Sequence, residues 1–263
     1  MTGRSDRFGT WELESIIAVG GMAEVWSATR DDTHCALKRI HSHLQRNADV
    51  VAMFAREQAV TTTLPPHPHV IRGLEHGAVD ERPYLALSLA PGKDLRVPDD
   101  TRTVARAIAI VRAAAAGAAH LHAHGYVHGD LCPGNLVVDG ASVVIVDLGI
   151  VRAIGEGGPM RGTHAYMAPE QVRGEAWTPA TDVFALGVVL WELVMHARLF
   201  HRGPPWLTIG AVIEHVPGAL PDPALDAIVQ AALAKDPEAR TPTARTLDDA
   251  LAMYTGGAKL HRD

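Results

Sequence analysis

The sequence predicts an α+β protein of two lobes. Residues 1–90 form a small antiparallel-sheet lobe with one main helix, and residues 91–263 form a larger, mainly helical lobe. Three observations predict it. The first ninety residues read as short strands with one helix, the first two strands joined at Gly20-Gly21. After Pro91-Gly92 the apolar segments take on helical lengths, beginning with the Ala-rich stretch Thr103 to His124. The 263 residues, 47% hydrophobic and 21% charged, suffice for a proper core, with no internal repeat, low-complexity tail or long linker.

Along the chain, Trp11 to Ala18 and Met22 to Thr29 read as two strands joined at Gly20-Gly21, and Cys35 to Ile40 as a third. A helix from about Asn47 to Thr63 is stopped by Pro65-Pro66. Strand-like runs follow around His69 to Gly77 and Pro83 to Leu89, ending at Pro91-Gly92. That hinge marks the expected cleft, since small-molecule sites favour domain junctions. Further on, Leu136 to Val138 and Val143 to Val146 flank Asp139-Gly140, a strong hairpin-turn signal. The residues flanking an antiparallel hairpin lie at its open end, so Asn135 and Asp147 are expected as neighbours, with Asp130 one short loop away.

Composition excludes several classes. With 24 Lys+Arg against 30 Asp+Glu the net charge is −6, which argues against a dedicated nucleic-acid binder. Cys35 and Cys132 are too far apart in sequence to imply a zinc pair or a disulfide framework, and a reducing cytoplasm fits them best. The first seven residues lack the apolar stretch of a signal peptide, and Arg106 and Arg112 interrupt the apolar run Val104 to Ala119. The expectation is a soluble chain without membrane insertion.

The chemistry should lie in His128 to Gly149, HGDLCPGNLVVDGASVVIVDLG. Two carboxylates and an amide converge there with no Lys or Arg between His128 and Asp147. Oxygen donors of this kind suit Mg²⁺ carrying phosphates, whereas taken alone they also read as ordinary turn residues. Gly20-Gly21, between two strands, is either a plain hairpin or a loop whose amides approach phosphate oxygens. Alternation puts Lys38 on one strand face with Ala36 and Ile40, so it is an edge solubiliser or an inward cation; Glu57, beside Met53, Phe54 and Val60, is the natural partner for an inward cation. His120, His122, His124 and His128 invite a metal reading.

The order of these signals is more specific than any one of them. A glycine turn, Lys38, Glu57, His128-x-Asp130, Asn135, Asp147-Leu-Gly149 and Ala168-Pro-Glu170 follow one another. With GTHAYMAPEQ at Gly162 to Gln171, DVFALGVVLWEL at Asp182 to Leu193 and LAKDPEAR at Leu233 to Arg240, the chain resembles the bacterial eukaryotic-like Ser/Thr protein kinases over residues 10 to 255. The resemblance implies a bilobal kinase fold, ATP and Mg²⁺ as cofactors, and a protein substrate or regulatory protein partner; it leaves the oligomeric state open. Lys38 would hold phosphates and be oriented by Glu57, Asn135 and Asp147 would bind the metal, and Asp130 would accept the substrate hydroxyl's proton. Gly20 and Gly21 would belong to the phosphate loop. Ile17, Val25, Ala36 and Val137 would sandwich adenine, the backbone of Ser88 and Ala90 would bond its edge, and Asp94 would contact ribose. Glu170 and Arg240 would form a structural ion pair.

The departures carry expectations of their own. The family's His-Arg-Asp is here His128-Gly129-Asp130, and no Ser, Thr or Tyr stands between Gly149 and Gly162. The arginine that would clamp a phosphate and the residue that would carry it are missing together, so activity independent of phosphorylation there is expected. Cys132 replaces the lysine that neutralises the γ-phosphate, a change costing on the order of 10²-fold, which predicts weak turnover. Arg152 and Arg161 are the candidates to compensate. Ala18 and Ala23 replace loop glycines, Leu148 replaces the usual Phe, and Asp94 to Thr103 is short for the helix that follows the family's hinge. Two alternatives follow: a pseudokinase that binds nucleotide or a partner and signals by conformation, and a small-molecule phosphotransferase, whose catalytic loop HGDLCPGN also resembles.

Overall fold

The computed structural model describes residues 6–96 and 103–255. They form two compact units. One comprises the described residues through His67 with Ile71–Ala90 and Asp147–Gly149; the other comprises Pro68–Val70, Pro91–Val146 and the described residues from Ile150 onward.

The first unit is a six-stranded antiparallel sheet: β1 (Asp6–Phe8), β2 (Trp11–Val19), β3 (Ala23–Arg30), β4 (Thr33–Ile40), β5 (Gly73–Val79) and β6 (Arg82–Leu87), in the order β1-β2-β3-β4-β6-β5. In β4 the two-residue period sends Cys35 and Leu37 into an apolar cluster with Trp11, Leu13, Ala28 and Ala86, and Lys38 to the opposite face. Fully burying one such large side chain is worth about 1.5–3 kcal/mol. Helix α1 (Ala48–Thr63) starts where the Asn47 side chain accepts from the amides of Asp49 and Val50, a cap worth about 1 kcal/mol. It ends at Leu64, whose extended backbone is what a following proline demands.

The second unit is built on α2 (Val104–Ala123) and the almost wholly buried α4 (Pro179–Met195), surrounded by α3 (Pro169–Arg173), α5 (Pro205–Glu214), α6 (Pro223–Ala232) and α7 (Ala244–Met253). Short strands frame its loops: β7 (Lys93–Asp94), β8 (Tyr126–Val127), β9 (Leu136–Asp139), β10 (Ser142–Ile145) and β11 (Arg152–Ala153). Among the described residues α2 is the one helix long and apolar enough to cross a membrane. Its Ile110, Val111, Ala114, Ala118 and Leu121 are buried in this unit's core. Its small residues allow close approach: a Cβ on Gly117 would lie 2.7 Å from the His69 carbonyl oxygen.

One expectation needs correction, and two features lie outside what the sequence predicts. The strand expected around His69 to Gly77 begins only at Gly73. The His69 carbonyl instead accepts from the Ile145 amide and Val70 bridges Ile145 in parallel, so this stretch joins the second unit. Strand β1, too short to carry a period, pairs Phe8 with Trp11. Asp147 to Gly149 cluster with the sheet unit although their neighbours do not. The short stretch noted between Asp94 and Thr103 lies partly in 97–102, outside the described residues.

Candidate active site

In the sheet unit the polar centre is Lys38. Strand β4 holds it between β3 and β6, in register with Val25 and Leu85. Its ammonium donates to both oxygens of Glu57 (2.6 and 2.9 Å) and to Oδ1 of Asp147 (2.6 Å). The Lys38 and Glu57 side chains are 11% and 3% exposed, whereas Asp147 is 49% exposed. Burial alone would depress the Lys38 ammonium, but the Asp147 and Glu57 carboxylates overcome it and hold it above the ordinary lysine range. Burial pushes the Glu57 carboxyl up against the opposing pull of Lys38. Asp147 takes a left-handed backbone (φ 65°) and accepts from the Gly149 amide at 3.1 Å. A Cβ on Gly149 would sit 2.9 Å from Asp147 Oδ1, so a side chain there would displace that carboxylate.

The turn between β2 and β3 closes with a Gly20 amide bond to the Ala23 carbonyl (2.9 Å). Neither Gly20 nor Gly21 has positive φ, and a Cβ would meet nothing at Gly21 and only the Ala23 oxygen, at 3.5 Å, from Gly20. The protein's own packing therefore does not demand these glycines. Ile17 is exposed, Val25 and Ala36 are half-buried, and the Ser88 amide is committed to the Arg72 carbonyl (2.8 Å).

In the helical unit Asp130 sits in a loop fixed from beneath by Asp182. That fully buried carboxylate accepts from the amides of Gly129 (2.8 Å) and His128 (2.9 Å) and from His122 Nε2 (2.8 Å). Burial would raise the Asp182 carboxyl, but the His122 bond, the nearby imidazoles and the Gly129 amide hold it below the usual carboxylate range. The Asp130 carboxylate is oriented from two sides. Thr163 donates its amide to Oδ1 (2.8 Å), and Asn135 donates its Nδ2 to Oδ2 (3.2 Å) and to the Asp130 carbonyl (2.8 Å). The hairpin register Ile145–Leu136 brings the Val146 amide onto the Asn135 carbonyl (2.9 Å), while Asp147 itself belongs to the sheet unit. Asp94 pairs with Val137 across β7 and β9 and binds Arg96 through both carboxylate oxygens (3.0 and 2.9 Å).

Asn135 in the helical unit and Asp147 in the sheet unit each carry an oxygen donor of the kind a hard divalent cation takes. Asn135 commits its amide nitrogen to Asp130, leaving the amide oxygen, and Asp147 presents a half-exposed carboxylate. Among the described residues no group of three or more His, Cys, Asp or Glu converges for a metal. His122 serves Asp182, and His120 packs its ring against His124 at 4.5 Å.

Cys132 is buried, its thiol pushed up to about 11 by burial and the neighbouring Asp130 charge, and it accepts from the Thr163 hydroxyl at 3.5 Å. Arg152, a candidate to compensate for it, lies instead over Trp177 and donates to the Gly157 carbonyl. Arg240 binds Glu170 at 2.7 and 3.0 Å, both side chains wholly buried. Sequence reasoning assigned no role to Asp182, Thr163 or Trp177; the signal for Asp182 was a carboxylate in the first turn of a mostly apolar helix.

The protein kinase domain family matches residues 11–249. Tyrosine-protein kinase MasK of Myxococcus xanthus is 31% identical over 94% of this chain and 43% of its own length. Serine/threonine-protein kinase PknD of Mycobacterium tuberculosis is 32% identical over 92% of this chain and 39% of its own length. PknJ, a serine/threonine-protein kinase of the same organism, is 29% identical over 95% and 46%. The chain thus spans less than half the length of these relatives.

Proposed function

The chain belongs to the protein kinase domain family, and on that premise we propose that it transfers the γ-phosphoryl group of ATP to serine or threonine hydroxyls of a protein substrate. The reaction depends on Mg²⁺, needs no phosphorylation between Gly149 and Gly162, and is weak. Protein phosphotransfer with ATP and a divalent metal is the family's general chemistry; the acceptor residue, the metal and the rate are specific to this reading.

The observation that carries it is the bridging of Lys38 between Glu57 and Asp147. A buried lysine held charged by two carboxylates is costly as a structural device, and it is apt for meeting phosphate oxygens. When bound, Mg-ATP supplies the phosphoryl group and neutralises its developing charge. The chain's own residues do the rest. Lys38, set by Glu57, orients phosphate oxygens. Gly20 and Gly21 give them access to the backbone, and Asn135 and Asp147 would hold the cation. Ile17, Val25, Ala36 and Val137 would enclose the base, the Ser88 carbonyl and Ala90 amide would meet its edge, and Asp94 would exchange Arg96 for ribose. Asp130, held by Thr163 and Asn135, accepts the hydroxyl proton as that oxygen bonds to phosphorus and ADP leaves.

A second reading, a pseudokinase, is favoured by Cys132, a buried neutral thiol in the place of a cation. Transfer from labelled Mg-ATP to a generic protein substrate, compared between wild type and Asp130→Asn, decides between them. Transfer lost in the variant supports the kinase, with phosphoamino-acid analysis separating Ser/Thr from Tyr. Nucleotide binding without transfer in either supports the pseudokinase, and label on an aminoglycoside but no protein supports a small-molecule phosphotransferase.

A further inference from the structure

Glycine at position 129 is imposed by Trp177. Gly129 has φ 77°, and a Cβ on it would lie 2.2 Å from the six-membered ring of the Trp177 indole, closer than any side chain can stand. The indole is fully buried, yet its Nε1 finds no hydrogen-bond partner. A cost of that kind calls for a compensating use, and here the use is the ring's shape and face. The Arg152 guanidinium lies 4.5 Å above the ring and donates to the Gly157 carbonyl.

The same residues tie the chain together on both sides. Arg152 and Ala153 pair with Val127 and Tyr126, the strand that leads into Asp130. The Gly155 amide donates to the Trp177 carbonyl (2.8 Å), the Trp177 amide to the Glu156 carbonyl (3.0 Å), and the Gly158 amide to the Gly174 carbonyl (3.3 Å). Gln171 donates to the Gly129 carbonyl (2.8 Å). None of residues 150–161 is a serine, threonine or tyrosine, so this arrangement is reached without a hydroxyl to modify.

We propose that Trp177, with Arg152 stacked on it, is a positioning residue for phosphoryl transfer. The ring wedges against the Gly129 backbone and locks the Asp130 loop to the segment 152–158, doing by packing what a phosphate and an arginine would do by charge. The proposal rests on the kinase reading above.

The test compares wild type with Arg152→Gln, Trp177→Phe and Trp177→Ala. It reads amide hydrogen exchange at Gly155, Trp177 and Gly158, and the split between kcat and the KM for ATP. Arg152→Gln and Trp177→Ala are expected to speed exchange at these amides and to lower kcat about ten- to a hundredfold with the ATP KM unchanged, while Trp177→Phe recovers most of both. If Trp177→Ala does not fold, Arg152→Gln, at a half-buried position, carries the test. Unchanged exchange in Arg152→Gln, or unchanged kcat despite faster exchange, overturns the proposal. Absence of transfer from the wild type, with the exchange contrast present, overturns the kinase reading instead and leaves the lock supported.

Discussion

Replacing Lys38 with methionine removes one positive charge and leaves two carboxylates behind, of unequal exposure. Asp147, 49% exposed, can turn to water, whereas Glu57, at 3%, cannot. Removing one partner of a buried pair costs about 3–5 kcal/mol, so Lys38→Met should lose that much stability at neutral pH, nearly all of it through Glu57. The loss must depend on pH. Burial already raises the Glu57 carboxyl above its ordinary 4.5 against the pull of Lys38, and without Lys38 it rises further. Between the unfolded and folded values the native state binds the extra proton, so stability is fully present below about 4.5 and falls as pH rises, by about 1.4 kcal/mol per pH unit. A 3–5 kcal/mol loss therefore develops over about two to four pH units above that point. Urea unfolding of wild type, Lys38→Met and the double variant Lys38→Met/Glu57→Gln at pH 5 and pH 8 measures it. The single variant should approach wild type at pH 5 and fall away at pH 8, and the double variant should recover most of the difference at pH 8. A deficit equal at both pH values, or a double variant no better than the single, would refute the reasoning.

Glu170→Gln leaves the Arg240 guanidinium buried against a neutral amide and should cost about 3–5 kcal/mol, read as a lowered urea midpoint with an unchanged slope; a loss below about 1 kcal/mol would count against the ion pair as a structural tie. With their thiols pushed up to about 11, Cys35 and Cys132 should resist iodoacetamide in the native state at pH 7.5 and react after denaturation; rapid native labelling would show a thiolate that this packing does not allow. Gly21→Ala, whose Cβ meets nothing, should change stability by less than about 1 kcal/mol while raising the KM for ATP; an unchanged KM would show that phosphates do not approach this turn.

Much of this molecule is legible in its sequence because local rules and tertiary needs agree. The Asn47 cap and the Pro65-Pro66 stop bracket α1, and the Asp139-Gly140 turn brackets a hairpin whose register brings Asn135 to its open end. Lys38 and Glu57 were readable as a pair because a cation in an apolar strand face asks for a buried partner. What was not legible depends on contacts distant in sequence. The strand expected from His69 fails because Ile145, 76 residues on (145 − 69), takes that backbone instead. Gly129 reads as a lost arginine until Trp177 is seen to fill the space. Asp182 looks like an ordinary helix-start carboxylate, and only the fold shows it holding two loop amides and a histidine.

The membership of Asp147 to Gly149 in the sheet unit sets an order in time on the ion pairs of Lys38 during synthesis. A chain released at Ala90 would hold every strand of the sheet and the Lys38–Glu57 pair, but not the carboxylate that completes it. Asp147 follows Glu57 by 90 residues (147 − 57), about 5–18 s of translation at 5–20 residues per second. Throughout that interval the nascent sheet carries an ammonium with half its final partners. The last ionic bond of the sheet unit waits until the hairpin of the helical unit has been synthesised.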